Sequence, residues 1–278
     1  MSVISIETRK ANELAATSNI GDSSIFMVHD GTGLKKITFE DVKRAMVYPN
    51  AGSHNSIYRG KNLGSTVTQA QYTAIRNGTF DDLFIGDYWT IGSIDYRIAA
   101  FDYYLNTGDS PCISHHIVIV PDQVLYNDKM NDSSSTQGGY VGSNMYKNGL
   151  NRAKTIIKNA FNGHLLNHRL FLFTTVNNGQ EIGGSQFDSE VELLSELMVY
   201  GHGMFGSTMN SILSNYVSDK TILPLFLMNT KSICPFRSHY WLRDVATNNA
   251  FTSVYSHGNA SANNSDSDFG VRPFFCIS

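Results

Sequence analysis

A chain of 278 residues with 41% hydrophobic and 16% charged side chains is too apolar to remain disordered, and long enough for one large core with a small appendage. A net charge of −3 without a basic run excludes strong phosphate-driven binding, so no nucleic-acid partner is expected. No stretch approaches the ~18–20 apolar residues that span a bilayer, and Met1–Lys10 lacks a secretory layout, so synthesis in the cytosol without membrane insertion is expected.

The first fifty residues read as a separate unit. Ile25–Val28 and Leu34–Ile37 are short strands around the Asp30-Gly31 turn, and Thr38 caps a helix that carries Val42, Ala45 and Met46 inward. A unit this small buries too little surface to stand alone, which implies self-association. Residues 48–64 are rich in Gly, Ser and Asn and read as a linker or exposed loop. Thr68 and Gln71 form a capping box for a helix that turns Ala70, Ala74 and Ile75 inward and stops at Asn77-Gly78. The expected divisions are 1–49, 50–80 and 81–278.

Asp87–Ile91 and Ile94–Ile98 alternate as a hairpin about Gly92-Ser93, and His116–Val120 is a buried strand stopped by Pro121. An Asn-, Ser- and Gly-rich excursion runs to Gly142. Leu150, Ala153, Ile156, Ile157, Ala160 and Phe161 recur at helical spacing, and a second helix is expected from an Asp188 cap through Val191, Leu194 and Met198. Leu170–Phe173, Tyr240–Leu242, Phe251–Tyr255 and Val271–Phe275 supply further strands. Helices and strands do not alternate regularly, which gives an α+β class.

Between Val245 and Phe269 the chain is almost wholly small and hydrogen-bonding. Ser, Asn and Gly provide adaptable hydrogen bonds, and Tyr240, Trp241, Phe251 and Tyr255 provide rigid aromatic area, the chemistry of recognition loops. Composition alone is equally compatible with a solvated loop.

Gly86-Asp87-Tyr88-Trp89, His115-His116, Val120-Pro121-Asp122, Gly138-Gly139-Tyr140-Val141-Gly142-Ser143, Tyr240-Trp241-Leu242-Arg243-Asp244 and Gly270-Val271-Arg272-Pro273-Phe274-Phe275 follow one another in fixed order. In these the chain resembles structural proteins of tailed phages infecting Firmicutes and other gut bacteria, over nearly all of Tyr58–Ser278. The resemblance implies a C-type-lectin-like domain, of the fold group that also holds phage tropism determinants and the formylglycine-generating enzymes. The N-terminal segment is similar to the hairpin-helix attachment segments of phage fibres, which are commonly homotrimers.

What the resemblance implies is a virion-located fibre or tail protein, attached to other virion proteins through its N-terminus. Its partner would be a host-cell surface receptor, a glycan or a protein. The candidate contact residues are Tyr240, Asn248, Asn249, Phe251, Tyr255, His257, Asn259, Asn263, Asn264 and Asp266, with Trp89, Trp241, Arg243 and Arg272 as structural supports. The alternative is a decoration protein without a receptor, and behind it an enzyme of the formylglycine-generating kind. That chemistry uses a close pair of C-terminal cysteines, whereas Cys234 and Cys276 are far apart in sequence.

Other motifs carry less. Gly201-His202-Gly203-Met204-Phe205-Gly206 satisfies the dinucleotide spacing but follows a helical pattern, so it reads as a loop and no cofactor is expected. Cys112 with His115 and His116 lacks the remaining ligands of a zinc site. Asp266 and Asp268 lack the spacing of a calcium loop, so no metal is expected either.

Overall fold

The computed structural model describes residues 20–21, 23–206 and 221–278. Two compact units meet at the Tyr48–Pro49 boundary. In the first, β1 (Ile25–His29) pairs antiparallel with β2 (Leu34–Thr38), and α1 (Phe39–Met46) starts where the Thr38 hydroxyl accepts the Asp41 N–H at 3.1 Å. Of the residues expected to face inward on α1, only Val42 is half-buried; Ala45 and Met46 are exposed. Among the described residues of this unit, a hairpin and one helix supply no third layer to cover them.

The second unit is mixed α+β. One five-stranded sheet has the order β3 (Tyr88–Ile91), β4 (Ile94–Phe101), β5 (Ile117–Pro121), β14 (Pro273–Ile277), β9 (Val191–Leu193). A second has the order β12 (Ala260–Asn264), β11 (Ala250–Val254), β10 (Tyr240–Val245), β13 (Phe269–Val271), β6 (Tyr126–Asp128). A ribbon of β7 (His168–Asn177) and β8 (Gln180–Ser189) stands apart from both sheets in its pairing. The helices are α2 (Ala51–His54), α3 (Gln69–Arg76), α4 (Gly139–Gly142), α5 (Leu150–Ala160), α6 (Glu196–Tyr200) and α7 (Pro224–Met228).

Several sequence expectations change. Residues 50–80 are tied into this unit rather than standing off as a linker. His54 Nδ1 lies 2.6 Å from the Leu83 carbonyl, and the Asn55 side chain exchanges hydrogen bonds with the Phe101 backbone at 2.8 and 2.9 Å. The capping box on α3 forms as expected, with Tyr72, Ala74 and Ile75 buried, but Ala70 is exposed. The helix expected from Asp188 through Met198 is instead the end of β8, then β9, then the short α6 capped by Ser195. The excursion before Gly142 contains β6 and α4, and the polar segment after Val245 contains β12.

One residue joins the two sheets. The chain leaves β13 in one sheet and enters β14 in the other at Arg272, which is fully buried. Its guanidinium donates to the carbonyls of Pro121 (2.7 Å), Ser232 (2.9 Å) and Ile233 (2.6 Å), and to the Tyr240 hydroxyl (3.1 Å). A planar fork with five donors can satisfy carbonyls from several directions, which a point charge cannot. Gly270 precedes it where a Cβ would stand 2.2 Å from Val124 Cγ1 and 2.8 Å from the His239 carbonyl, so no side chain fits. Pro273 takes the first position of β14, where a missing N–H costs the ladder least.

Asp87 and Asp122, from two other motifs, are also framework. Asp87 is fully buried and accepts from Arg59 Nε (3.1 Å), the Lys61 N–H (2.8 Å) and the Phe84 N–H (2.9 Å). Asp122 accepts from Arg97 Nε at 2.9 Å. Trp89, Trp241, Tyr96, Tyr104 and Phe275 fill the core between these anchors.

Candidate functional site

The strands Ala-Phe-Thr-Ser-Val and Ala-Ser-Ala-Asn-Asn carry no charged side chain. They pair without a bulge, with Phe251 opposite Asn263, Thr252 opposite Ala262 and Ser253 opposite Ser261. On the other side of β11, Ser253 lies opposite Trp241. Residues directly opposite share a face of the sheet, so Trp241, Ser253, Ser261 and Asn263 line one face. All of β11 is buried, whereas β12 is the outer strand and only half-buried.

His239, just before β10, ties that face together. Its ring stacks on Phe269 with centroids 3.8 Å apart and meets the edge of Tyr255 at 4.9 Å. Its Nε2 lies 3.0 Å from the Ser253 hydroxyl and 3.3 Å from Asn263 Nδ2. Asn263 Nδ2 also donates to Ser253 Oγ at 2.8 Å and reaches Ser261 Oγ at 3.2 Å. Burial pushes the His239 pKa below its ordinary value, so the ring is neutral at pH 7. With Nε2 among donors, the network assigns the ring proton to Nδ1.

The turn beyond β11 extends the face. Tyr255 is 45% exposed and stacks nearly parallel on His257, centroids 5.4 Å apart. The Tyr255 N–H donates to the Asn259 carbonyl at 2.8 Å, and the Gly258 N–H to the Tyr255 carbonyl at 2.7 Å, which holds Asn259 beside the ring.

At the far end, the Thr247 hydroxyl bonds Asn249 Oδ1 at 2.7 Å, and Asn249 Nδ2 reaches Asn264 Oδ1 at 3.2 Å. The Thr136 N–H and hydroxyl donate to the carbonyls of Asn248 (2.9 Å) and Thr247 (2.8 Å). Ser265 Oγ donates to the carbonyls of Ser133 and Ser135, each at 3.0 Å. The Asn131–Gly142 excursion and the polar C-terminal segment are therefore stitched to one another.

The expected contact residues divide accordingly. Asn248, Asn249, Tyr255, His257, Asn259 and Asn264 are exposed, and Asn263 and Asp266 half-buried. Tyr240 and Phe251 are buried to 1% and 0% exposure, which removes both from any contact surface and makes them part of its support. Trp89, Trp241, Arg243 and Arg272 are buried. His239, Ser253, Ser261 and Phe269 belong to the site although sequence reasoning passed over them. The available signal was parity: His239 stands two residues before Trp241, on its side of the strand.

Two other clusters of polar and titratable side chains are structural. The buried Glu196 carboxylate accepts the backbone N–H groups of Met204 (2.8 Å), Phe205 (3.1 Å) and Gly206 (2.8 Å), so the glycine-rich loop wraps a side chain of its own chain. Asp244 accepts the Glu196 N–H at 2.6 Å, and burial with the nearby Glu196 charge pushes its pKa up to about 6. Burial likewise raises the thiols of Cys112, Cys234 and Cys276, the opposite of what activates a nucleophile. Among the described residues, no three His, Cys, Asp or Glu side chains come together to hold a metal ion.

A family model described as "Domain of unknown function (DUF6273)" matches residues 114–278, more than half of the chain and all of the face described above. Neither the curated proteins nor the solved structures contain a match.

Proposed function

The chain belongs to the DUF6273 family, and we propose that it is a phage virion structural protein that binds a host-cell surface receptor through the face built by β11, β12 and the Tyr255–Asn259 turn. One observation carries this reading: a fully buried strand, β11, supports a neutral outer strand and turn whose aromatic ring and amides are exposed. A rigid frame beneath adaptable polar groups and a fixed aromatic side chain is the arrangement recognition surfaces use, because the contact groups lose little entropy on binding. Exposed side chains on this rim can also change at small cost, usually within about 0.5 kcal/mol.

The domain is read as C-type-lectin-like because its first strands, β3 and β4, and its last strand, β14, share one sheet and close the domain on itself. The N-terminal unit supplies the attachment to other virion proteins. Ile25, Met27, Leu34 and Met46 are 62%, 65%, 71% and 77% exposed, apolar area that association as a homotrimer would cover. Light scattering of the full chain should give three times 30.8 kDa; a monomer mass at micromolar concentration removes that part. The function itself is tested by adhesion of the purified protein to candidate host bacteria. Adhesion that survives wholesale replacement of residues 246–268 removes the assignment to this face.

A further inference from the structure

Resting on that reading of the face, we propose that its ligand is an uncharged saccharide, stacked on Tyr255 and His257 and hydrogen-bonded by His239, Asn259 and Asn263. The recognition needs no metal and no charged side chain.

Three features select this ligand class. First, the nearly parallel Tyr255–His257 pair, exposed at both residues, leaves aromatic area turned to solvent next to amides, whereas an apolar peptide anchor needs a concave apolar pocket. A pyranose ring presents C–H faces to an aromatic ring and hydroxyls around its rim, so it matches both halves at once. Second, the polar groups left over are mixed. Asn263 spends its Nδ2 on Ser253 and Ser261, which leaves Oδ1 as an acceptor. His239 Nε2 is engaged, which leaves Nδ1–H as a donor, and among the described residues the Asn259 amide and the Tyr255 hydroxyl make no hydrogen bond. A sugar hydroxyl donates and accepts together, and only a mixed set satisfies it.

Third, neither β11 nor β12 offers a charge, so the two strands give an anionic or cationic ligand nothing to pair with where it would lie on the sheet. The groups also lie close together. His239 touches the Tyr255 ring at 4.9 Å and approaches the Asn263 amide at 3.3 Å, so platform and hydrogen-bonding groups flank one imidazole.

The experiment compares adhesion of full-length wild type, Tyr255→Ala and Tyr255→Phe to the bacteria that wild type binds, before and after periodate oxidation of the cells. Tyr255→Ala should bind at least tenfold more weakly with an unchanged melting temperature, and Tyr255→Phe, which keeps the ring, should retain most binding. Periodate should abolish adhesion of the wild type. Raising sodium chloride from about 50 to about 500 mM should leave adhesion unchanged, because an uncharged ligand has no screened attraction to lose.

Loss with Tyr255→Ala but not with periodate overturns the saccharide and leaves the face as receptor site. Loss with periodate but not with Tyr255→Ala overturns the face itself. A steep fall with salt overturns the uncharged class.

Discussion

Arg272 occupies a demanding position, because its charge is buried with neutral oxygens as partners in place of a carboxylate. Four hydrogen bonds from one guanidinium fix the ends of β5 and β10 and the Ser232–Ile233 turn at the point where the chain changes sheets. Arg272→Lys keeps the charge and loses the fork, leaving at least two buried carbonyls without donors, and should cost about 2–4 kcal/mol. Urea denaturation of the variant measures this; an unchanged midpoint would mean that water can replace the guanidinium. Trp241 has the same supporting role through volume. It is fully buried, lies 5.0 Å from Phe269 and donates its indole N–H to the Asp128 carbonyl at 2.9 Å. Trp241→Ala should cost about 3–5 kcal/mol, with weaker adhesion only in proportion to unfolded protein. An unchanged melting temperature with adhesion lost would make Trp241 a contact residue instead.

At the scale of elements, legibility followed the match between local pattern and environment. α3 and α5 were readable because each has one buried stripe and, for α3, a capping box that depends only on local bonds. Thr68→Ala removes that cap and should cost about 1 kcal/mol, seen as a melting-temperature drop of a few degrees; no shift would show that the Gln71 side chain alone holds the turn. β9 reads as helix in the sequence, because Glu192, polar there, is buried on a strand. There the Tyr140 hydroxyl (2.7 Å) and Ser189 hydroxyl (3.0 Å) satisfy its carboxylate. A chance apolar spacing at Val191, Leu194 and Met198 then resembled a helix stripe. The segment of β12 reads as a polar loop because Ala-Ser-Ala-Asn-Asn has poor strand propensity; pairing with β11 decides its structure, and pairing is not local information. The candidate site suffered from the same gap. Composition located the segment and its exposed asparagines, but only register separates Tyr255, which is exposed, from Tyr240 and Phe251, which are not.

At the scale of the whole molecule, buried titratable groups set opposing pH dependences that variants can separate. Burial lowers the pKa of His54, His116 and His168, the last from 6.5 to about 4. The folded state holds such a histidine neutral while the unfolded chain protonates it. Its stabilisation is therefore complete above pH 6.5 and is lost as pH falls toward the folded pKa. For His168 this amounts to about 3 kcal/mol across the window from 6.5 to about 4. Asp244 has the reverse sign. Burial raises its pKa from 3.8 to about 6, so the fold favours the protonated carboxyl, and that contribution is present at low pH and lost as pH rises through about 6. The two nearly cancel between pH 4 and 6, and the wild-type profile alone conceals both. His168→Phe retains an aromatic partner for Tyr104, whose ring lies 4.3 Å from His168. Its stability relative to wild type should rise by about 3 kcal/mol as pH falls from about 7 to about 4. Asp244→Asn keeps an oxygen to accept the Glu196 N–H, and its relative stability should rise by a similar amount over the same interval as pH increases. Urea denaturation at each pH reads both differences. Difference curves that run flat would mean that the two side chains reach water in the folded state, and slopes of the same sign would mean that one of the two folded-state charges is assigned the wrong way round.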